Sequence, residues 1–321
     1  MRVFVAGATG ALGRRLVPQL LESGHEVVGT TRTPAKAGEL RAAGAESLVL
    51  DVLDAGAVMA AVTAARPDVV VHEATALSGE LDLRRFEQAF AQTNRLRTEA
   101  TDHLLAAAIQ AGAVRFVAQS YAGWPSARTG GPVKTEEDPL DPDPPAAMRS
   151  TLDAIRHLEA VVTGAAELTG VALRYGGFYG PGTSLWAGGD HVEQIRKRRF
   201  PVVGDGGGVW SFIHIDDAAS ATVAAVERGE AGIYNVVDDE PARVAEWLPY
   251  LAQVLGAPTP RHVPAWVGRL LAGEHMVAMM TEVRGSSNAK AKRELGWEPR
   301  YASWREGFLA VEEAVRRPAA A

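Results

Sequence analysis

Residues 2–13 read RVFVAGATGALG, and this stretch decides the fold. The run Arg2 to Ala6 is typical of a β-strand, and Ala11 to Ser23 has the amphipathic pattern of a helix. Between them, Gly7, Gly10 and Gly13 form the spacing G-x-x-G-x-x-G. Glycines let the backbone turn tightly and approach a pyrophosphate, whose charge the amides at the helix N-terminus stabilise. We therefore predict a dinucleotide site made by Gly7, Thr9, Gly10, Ala11, Leu12 and Gly13.

Strand and helix patterns go on alternating beyond this stretch. Such alternation is typical of βαβ units, whose crossovers are right-handed in nearly all proteins. We therefore predict an α/β fold, a doubly wound parallel sheet of the Rossmann type with a smaller C-terminal substrate-binding lobe. The predicted strands are residues 2–6, 26–30, 47–50, 68–72, 114–119 and 171–175, and the later predicted helices are residues 34–43, 55–65, 83–111, 150–168 and 303–316.

The end of the second predicted strand indicates which dinucleotide binds. An NAD site usually presents an acidic residue there to hold the ribose 2′-hydroxyl. This chain has Thr31 and Arg32 instead, with Lys36 nearby, and a guanidinium suits a 2′-phosphate. We predict NADP rather than NAD, the alternative being that Arg32 is only solvated.

The domain organisation follows from where the alternation breaks. We expect an NADP-binding Rossmann domain over residues 1–175 and a mainly substrate-binding lobe over 176–321, with segments of 209–236 returning to the first domain. Between the fifth and sixth strands, Trp124 to Pro145 carries six prolines, which exclude a regular helix or central strand. A long surface loop is predicted there.

Composition excludes several classes of protein. The 321 residues include no cysteine, so no disulfide, zinc–thiolate site or cysteine nucleophile can form. The net charge of -6 does not indicate the basic surface that binding to nucleic acid or an anionic membrane would need. The sequence contains no run of ~20 apolar residues, the length that spans a bilayer. The eight histidines show no metal-ligand spacing. We expect a cytoplasmic protein with a small-molecule substrate and no metal.

The motifs in their order resemble the extended short-chain dehydrogenase/reductase family, the NAD-dependent epimerase/dehydratase type. Besides the glycine motif, the resemblance covers the blocks RY at 174–175, YGPG at 179–182, FIHIDD at 212–217 and LGWEP at 295–299. It implies further cofactor contacts from Asp51 and Val52 beside the adenine, from Ala74, Thr75 and Ala76 after the fourth strand, and from the structural asparagine Asn94. It also implies a homodimer through the helices at 83–111 and 150–168.

The chain departs from this family where the catalytic pair should be. The family carries Y-x-x-x-K, in which the lysine lowers the pKa of the tyrosine that exchanges a proton with the substrate. Counting back from Glu159, the two positions are Thr151 and Ile155, and no Y-x-x-x-K occurs elsewhere. Neither side chain can do that chemistry.

A tyrosine stands at the family's other catalytic position. Ser120 and Tyr121 follow the fifth predicted strand, and parallel sheets bind ligands at the carboxyl ends of their strands. We predict Tyr121 as a relocated proton donor, with Ser120 orienting the substrate oxygen. The alternative is that Tyr121 only stacks on the nicotinamide or closes the pocket.

Substrate contacts are expected from the second lobe, by resemblance, at Phe178, Ser184, Trp186 and Trp210. Sugar-nucleotide members commonly have an arginine at the place of Trp210, which neutralises the diphosphate. An indole there favours a less charged, more apolar substrate, unless Trp210 packs into the lobe core. The leading hypothesis is an NADP(H)-dependent oxidoreductase that reduces a small apolar carbonyl or alkene. A sugar-nucleotide epimerase or dehydratase and a non-catalytic NADP(H)-binding sensor stay open.

Overall fold

A seven-stranded parallel sheet forms the centre of the protein in a computed structural model that describes residues 1–77 and 85–316. The strands are β1 (Arg2–Ala6), β2 (Glu26–Thr31), β3 (Glu46–Val49), β4 (Val69–His72), β5 (Arg115–Tyr121), β6 (Val133–Lys134), β7 (Thr169–Tyr175), β8 (Gly177–Tyr179), β9 (Val202–Val203), β10 (Val209–Trp210), β11 (Phe212–His214), β12 (Gly232–Val236), β13 (Ala242–Arg243), β14 (His262–Val263) and β15 (Gly285–Ser286). The central sheet has the order β12-β7-β5-β4-β1-β2-β3, which confirms the predicted doubly wound fold.

Helices cover both faces of this sheet. They are α1 (Gly13–Glu22), α2 (Ala37–Ala42), α3 (Ala55–Ala65), α4 (Phe86–Arg95), α5 (Thr101–Ala111), α6 (Arg149–Thr163), α7 (Asp190–Arg196), α8 (Ile215–Arg228), α9 (Val244–Val254), α10 (Ala265–Ala272), α11 (Glu274–Thr281), α12 (Ala289–Leu295) and α13 (Trp304–Arg316). Helices α1, α8 and α12 share one apolar core with the sheet, and α3, α5 and α6 share the other.

Strand β1 shows why the sheet has two buried faces. Val3 and Val5 belong to one apolar core, whereas Phe4 and Ala6 belong to the other, and all four are fully buried. Because side chains alternate across a strand, a strand covered on both faces reads as a continuous apolar run.

The glycine turn explains why α1 begins at Gly13 instead of Ala11, where the sequence predicted it. Gly7 has a φ of +91°, and its carbonyl accepts a hydrogen bond from the amide of Gly10 at 2.9 Å. A Cβ on Gly13 would lie 2.4 Å from the carbonyl oxygen of Gly7, closer than atoms can approach. Residues 7–12 therefore form the turn, and α1 begins after them at Gly13.

Other differences from the predicted elements are local. Strand β5 runs two residues beyond the predicted end and includes Ser120 and Tyr121, and the predicted helix at 150–168 ends at Thr163. The predicted helix at 83–111 contains a π-helical turn, Leu96–Ala100, between α4 and α5. Its residues 83 and 84 lie outside the described residues, and the homodimer expected through this helix stays a prediction.

The proline-rich segment is not wholly on the surface, which corrects the prediction of a surface loop. Residues 122–127 are buried, and the amide of Ala127 donates to the carbonyl of Pro139 at 2.9 Å. Strand β6 within it pairs in parallel with β15 from the C-terminal part of the chain. The segment is folded because it packs between the sheet and the smaller lobe, not because of its own pattern.

The smaller lobe has its own core. Trp247, Trp304, Phe212 and Phe308 are almost fully buried there. Strands β10 and β11 pair with β13 and β8, whereas β12 pairs with β7 in the central sheet and α8 packs against α1. In the described part of the chain, no helix is long and apolar enough to cross a membrane.

The packing of Gly13 gives a test of the fold. We expect Gly13→Ala to lower the free energy of unfolding by about 2 kcal/mol, because the new Cβ meets fixed backbone and the turn must move. Gly38→Ala is the matched control, since a Cβ at Gly38 in α2 meets nothing within 4 Å. Urea unfolding measures both, and equal stability of the two variants would contradict the argument.

Candidate functional site

The glycine turn lies against the carboxyl end of β4. A Cβ on Gly7 would lie 2.7 Å from the backbone of Glu73 and from the amide nitrogen of Ala74. This contact brings the predicted cofactor segment 74–76 beside the turn, at the N-terminus of α1. Glycine alone fits there, and the backbone amides of Ala11, Leu12 and Gly13, which have no partner in the described chain, can donate to a pyrophosphate. The residues thus fit a dinucleotide.

The end of β2 is tied to the same turn. Thr9 donates its hydroxyl to the Thr31 hydroxyl at 3.1 Å, and the amide of Thr33 donates to that Thr31 oxygen at 3.1 Å. Arg32 is exposed and makes no hydrogen bond or ion pair among residues 1–77 and 85–316, and Lys36 is half-buried. The end of β2 therefore carries hydrogen-bonded hydroxyl groups, and two cationic side chains, Arg32 and Lys36, lie next to them.

The predicted adenine pair follows β3. Asp51 is exposed and accepts a hydrogen bond from the amide of Leu53 at 3.0 Å. Val52 is buried, and its carbonyl contacts His103 Nδ1 at 3.2 Å. Asp51 thus shapes a turn, while Val52 is fixed against α5.

Helix α6 carries the residues that replace the usual catalytic pair. Asn94 donates its side-chain amide to the Thr151 hydroxyl at 3.1 Å, and both Thr151 and Ile155 are fully buried. The side-chain oxygen of Asn94, Oδ1, is buried without a hydrogen-bond partner in the described chain. The side chain of Asn94, in α4, therefore contacts α6. Its predicted contact with the cofactor stays a prediction.

Ser120 belongs to a buried hydrogen-bond network that joins β5, α6 and β7. Its hydroxyl donates to Glu159 Oε1 at 2.7 Å. Arg174 donates to both oxygens of Glu159, at 2.7 and 2.6 Å, and all three residues are at most 5% exposed. This bonding gives Ser120 a structural partner, and its predicted role beside a substrate stays a prediction.

Tyr121 points to a cavity between the sheet and the smaller lobe. The space in it that water can occupy is only about 20 Å³, room for about one water molecule, within about 280 Å³ of empty space that includes open solvent. It is lined by Tyr121, Ala122, Gly123, Trp124, Val209, Trp210, Ser211, Met279 and Val283. None of these lining residues carries a charge. Tyr121 and Trp210, predicted on separate grounds, are thus brought together.

Aromatic rings form much of the cavity wall. The Tyr121 and Trp124 ring centroids are 6.4 Å apart, and Trp210 lies 5.1 Å from Trp247 of the lobe core. Trp210 donates its indole N–H to the carbonyl of Met279 at 2.8 Å. Trp210 therefore packs on the core and also lines the cavity, and its predicted contact with a substrate stays a prediction.

Burial raises the pKa of Tyr121 to about 12, against the opposing effect of the nearby Arg97 charge. The phenol therefore stays protonated near neutral pH. It can donate a hydrogen bond or a proton, but it does not act as a base there.

The other three predicted substrate residues lie elsewhere in the lobe. Phe178 packs on Tyr175 with ring centroids 5.5 Å apart, and Ser184 contacts His191 Nδ1 at 3.1 Å. Trp186 lies 6.3 Å from the ring of His214. None of the three is among the residues that line the cavity with Tyr121.

The sequence argument assigned no role to two buried polar residues, Glu73 directly after β4 and Arg97 in the π turn. Burial raises the pKa of Glu73 to about 8, although the Tyr175 hydroxyl donates to it at 3.1 Å and so opposes the shift. Arg97, in the π turn, is only 6% exposed. Trp124 was also missed; its place in a proline-rich segment gave no sign of burial.

These features define a Rossmann-type dinucleotide-binding protein with a cavity at the carboxyl end of β5. The model of the NAD dependent epimerase/dehydratase family matches residues 3–237. The chain therefore belongs to the NAD-dependent epimerase/dehydratase family, as its motifs suggested.

Similar proteins have several activities. A 3-diazoavenalumate denitrifying reductase of Streptomyces sp. is 46% identical over 311 residues, covering 96% of this chain and 99% of the relative. A 2-alkyl-3-oxoalkanoate reductase of Stenotrophomonas maltophilia is 30% identical, covering 80% and 77%. The solved structure of Thermus thermophilus UDP-glucose 4-epimerase in complex with NAD has a TM-score of 0.74 and 25% identity, covering 99% of this chain and 100% of that one.

The buried carboxyl of Glu73 predicts a pH-dependent stability. Its folded pKa of about 8 lies above the ordinary value of 4.5, so unfolding releases a proton between these values. The wild type should lose stability as pH rises through this window, by up to about 1.4 kcal/mol per pH unit from this group. Glu73→Gln cannot ionise, so its advantage over the wild type should grow from pH 4.5 and level off above pH 8.

Denaturant unfolding at a series of pH values measures this difference, and Glu137→Gln, at an exposed glutamate, is the control. A constant difference between Glu73→Gln and the wild type across the window would show that Glu73 is ionised in the folded protein.

Proposed function

We propose that this protein is an NADP(H)-dependent reductase of a small, flat and mostly apolar substrate. The observation that carries the proposal is the uncharged, aromatic cavity formed by Tyr121, Trp124 and Trp210 at the carboxyl end of β5. Aromatic and apolar walls suit a substrate with a flat ring once they move apart to admit it, whereas the diphosphate of a sugar nucleotide would find no counter-charge among the lining residues.

The two alternatives are less well supported. An epimerase or dehydratase of sugar nucleotides would need the proton-transfer pair whose positions hold Thr151 and Ile155, both buried in α6. A non-catalytic sensor would need no such pair, but the two similar proteins described above are reductases by name. A reductase accounts for both the cavity and the relatives.

The preference for NADP rests on the end of β2. Thr31 carries no negative charge to repel a 2′-phosphate, and its hydroxyl is held by Thr9 and by the amide of Thr33. Arg32 is exposed with no described ion pair to break, and Lys36 adds a second cation. Charge-assisted hydrogen bonds from a guanidinium to a phosphate are among the stronger ones.

The cofactor preference is testable by binding. The wild type should bind NADPH more tightly than NADH, and Arg32→Ala should weaken NADPH binding about 10- to 100-fold while changing NADH binding little. Arg41→Ala, which removes an exposed arginine bonded to Ser47, serves as the control. Calorimetric titration measures all three proteins, and equal or tighter NADH binding by the wild type would refute the preference.

For a carbonyl substrate, Tyr121 would complete the reaction. Bound NADPH supplies a hydride. An alkoxide that forms at the reduced carbonyl is more basic than a phenolate, so a phenol with a pKa of about 12 can protonate it. The apolar side chains around Tyr121 make its surroundings less polar than water, which would strengthen a hydrogen bond from the phenol to the substrate oxygen.

A second substrate class is favoured by the missing proton-transfer pair together with the 46% identical relative. Reduction of an aromatic diazonium group needs no acid. One C–H bond forms from the hydride, the C–N bond breaks, and its electron pair leaves with dinitrogen, so no proton is consumed. The aromatic walls of the cavity would also suit a diazo-bearing aromatic compound chemically.

Tyr121→Phe separates the two classes. It should lower kcat about 100-fold for an aromatic ketone, because proton donation is lost. Turnover of an arenediazonium carboxylate should change only a few-fold. NADPH absorbance measures the first reaction and gas evolution the second, with Tyr250→Phe, in the lobe core, as the control.

Either class can fail independently in this experiment. Unchanged ketone turnover in Tyr121→Phe would exclude Tyr121 as the acid. A lack of NADPH oxidation with both classes would exclude the reductase itself.

A further inference from the structure

Helix α10 in the smaller lobe turns its large apolar side chains outward. Trp266, Leu270 and Leu271 are 68, 79 and 63% exposed. Within α10 only Gly268 is buried, and a Cβ there would lie 2.5 Å from a side-chain carbon of Val203. A helix on the surface of a soluble protein normally shows the reverse pattern, with its large apolar residues against the core. Clusters of exposed apolar side chains mark interaction surfaces.

Three arginines without acidic partners flank this helix face. Arg269 lies within α10 and Arg261 shortly before it, while Arg199 precedes β9, which pairs in parallel with β14 just before α10. All three are exposed, and their side chains make no hydrogen bond or ion pair in the described part of the chain. Asp205 and Glu274, two exposed acids near this helix, pair with none of them. The net charge of -6 therefore hides an apolar surface with a basic rim, which we call the α10 patch.

The α10 patch lies near the lobe side of the cavity. A Cβ on Gly204 would lie 2.8 Å from a side-chain carbon of Thr281 and 3.6 Å from the Cβ of Ala265. The start of α10 and the end of α11 are therefore neighbours. Met279, close to the end of α11, lines the cavity.

The charge and the size of the α10 patch indicate what covers it. A second copy of the chain related by a twofold axis would bring the same unpaired arginines together, so that they repel. Even fully covered, three side chains supply only part of the about 800 Å² that each partner buries in a stable protein complex. An anionic lipid bilayer needs no complementary shape, because its headgroups attract arginines and its interface takes up Trp and Leu side chains.

We propose that the α10 patch docks the protein on the surface of an anionic lipid bilayer, with its three apolar side chains at the level of the headgroups and its three arginines against the phosphates. The helix lies on the bilayer and does not cross it. The inference goes beyond the proposed reductase function and does not rest on it. For an apolar substrate, docking would bring the cavity wall at Met279 close to the lipid into which such a substrate partitions.

Vesicle sedimentation tests the docking with the full chain and without cofactor or substrate. The wild type should bind phosphatidylcholine vesicles that contain about a third phosphatidylglycerol roughly tenfold more tightly than vesicles of phosphatidylcholine alone, and about 0.5 M NaCl should remove the difference. Trp266→Ser combined with Leu270→Ser should lower the partition coefficient roughly tenfold, because apolar area leaves the interface. Arg261→Gln and Arg269→Gln should each lower it about fivefold.

Two substitutions outside the α10 patch are the matched controls. Leu309→Ser removes an apolar side chain of α13 that is 49% exposed, and Arg66→Gln removes an exposed cation after α3. Both should bind anionic vesicles as the wild type does. Circular dichroism checks that every variant is folded.

The outcomes are distinct from those of the reductase experiments. No binding of the wild type to anionic vesicles, or binding that the patch variants retain, would overturn the proposal. A dimer in sedimentation velocity that Trp266→Ser dissociates would also overturn it, because a second copy would then cover the patch. None of these results bears on the turnover of a soluble ketone, which tests the reductase.

Discussion

The close packing of the glycine turn on the end of β4 is the constraint on which the rest depends. Neither Gly7 nor Gly13 has room for a Cβ, so β1, α1 and β4 meet at backbone distance. That contact fixes where β4 ends. His72, the last residue of β4, then bonds the carbonyl of Leu96 and fixes the π turn. The geometry of the glycine turn and that of the π turn are therefore linked through β4.

Local signals in the sequence were enough for the first half of the fold. The glycine spacing and the alternation of apolar runs predicted the strand and helix order up to β5, because both patterns arise from contacts near in sequence. The burial of Arg97 could not be predicted from such local patterns. A helical pattern over 83–111 gives no sign of a π turn, and that turn sets the face on which Arg97 lies.

The cavity wall was hard to predict for a different reason. Trp124 lies in a proline-rich segment, which reads as a surface loop, yet β6 in that segment pairs with β15 some 150 residues later. The aromatic wall thus depends on contacts distant in sequence, which no local pattern encodes. Tyr121 and Trp210 were found only because the motif order placed both beside the same cleft.

The two proposed substrate classes make opposite demands on charge. A ketone develops negative charge on oxygen as the hydride adds, and the Tyr121 hydroxyl would stabilise that charge by donating a hydrogen bond to it. A diazonium group is itself cationic, so the negative faces of the aromatic rings would attract it without any proton donor. Because none of the residues that line the cavity carries a charge, neither substrate class would meet a repelling group among them. The hydroxyl of Tyr121 and the ring faces of Trp124 and Trp210 would therefore serve different substrate classes from the same wall.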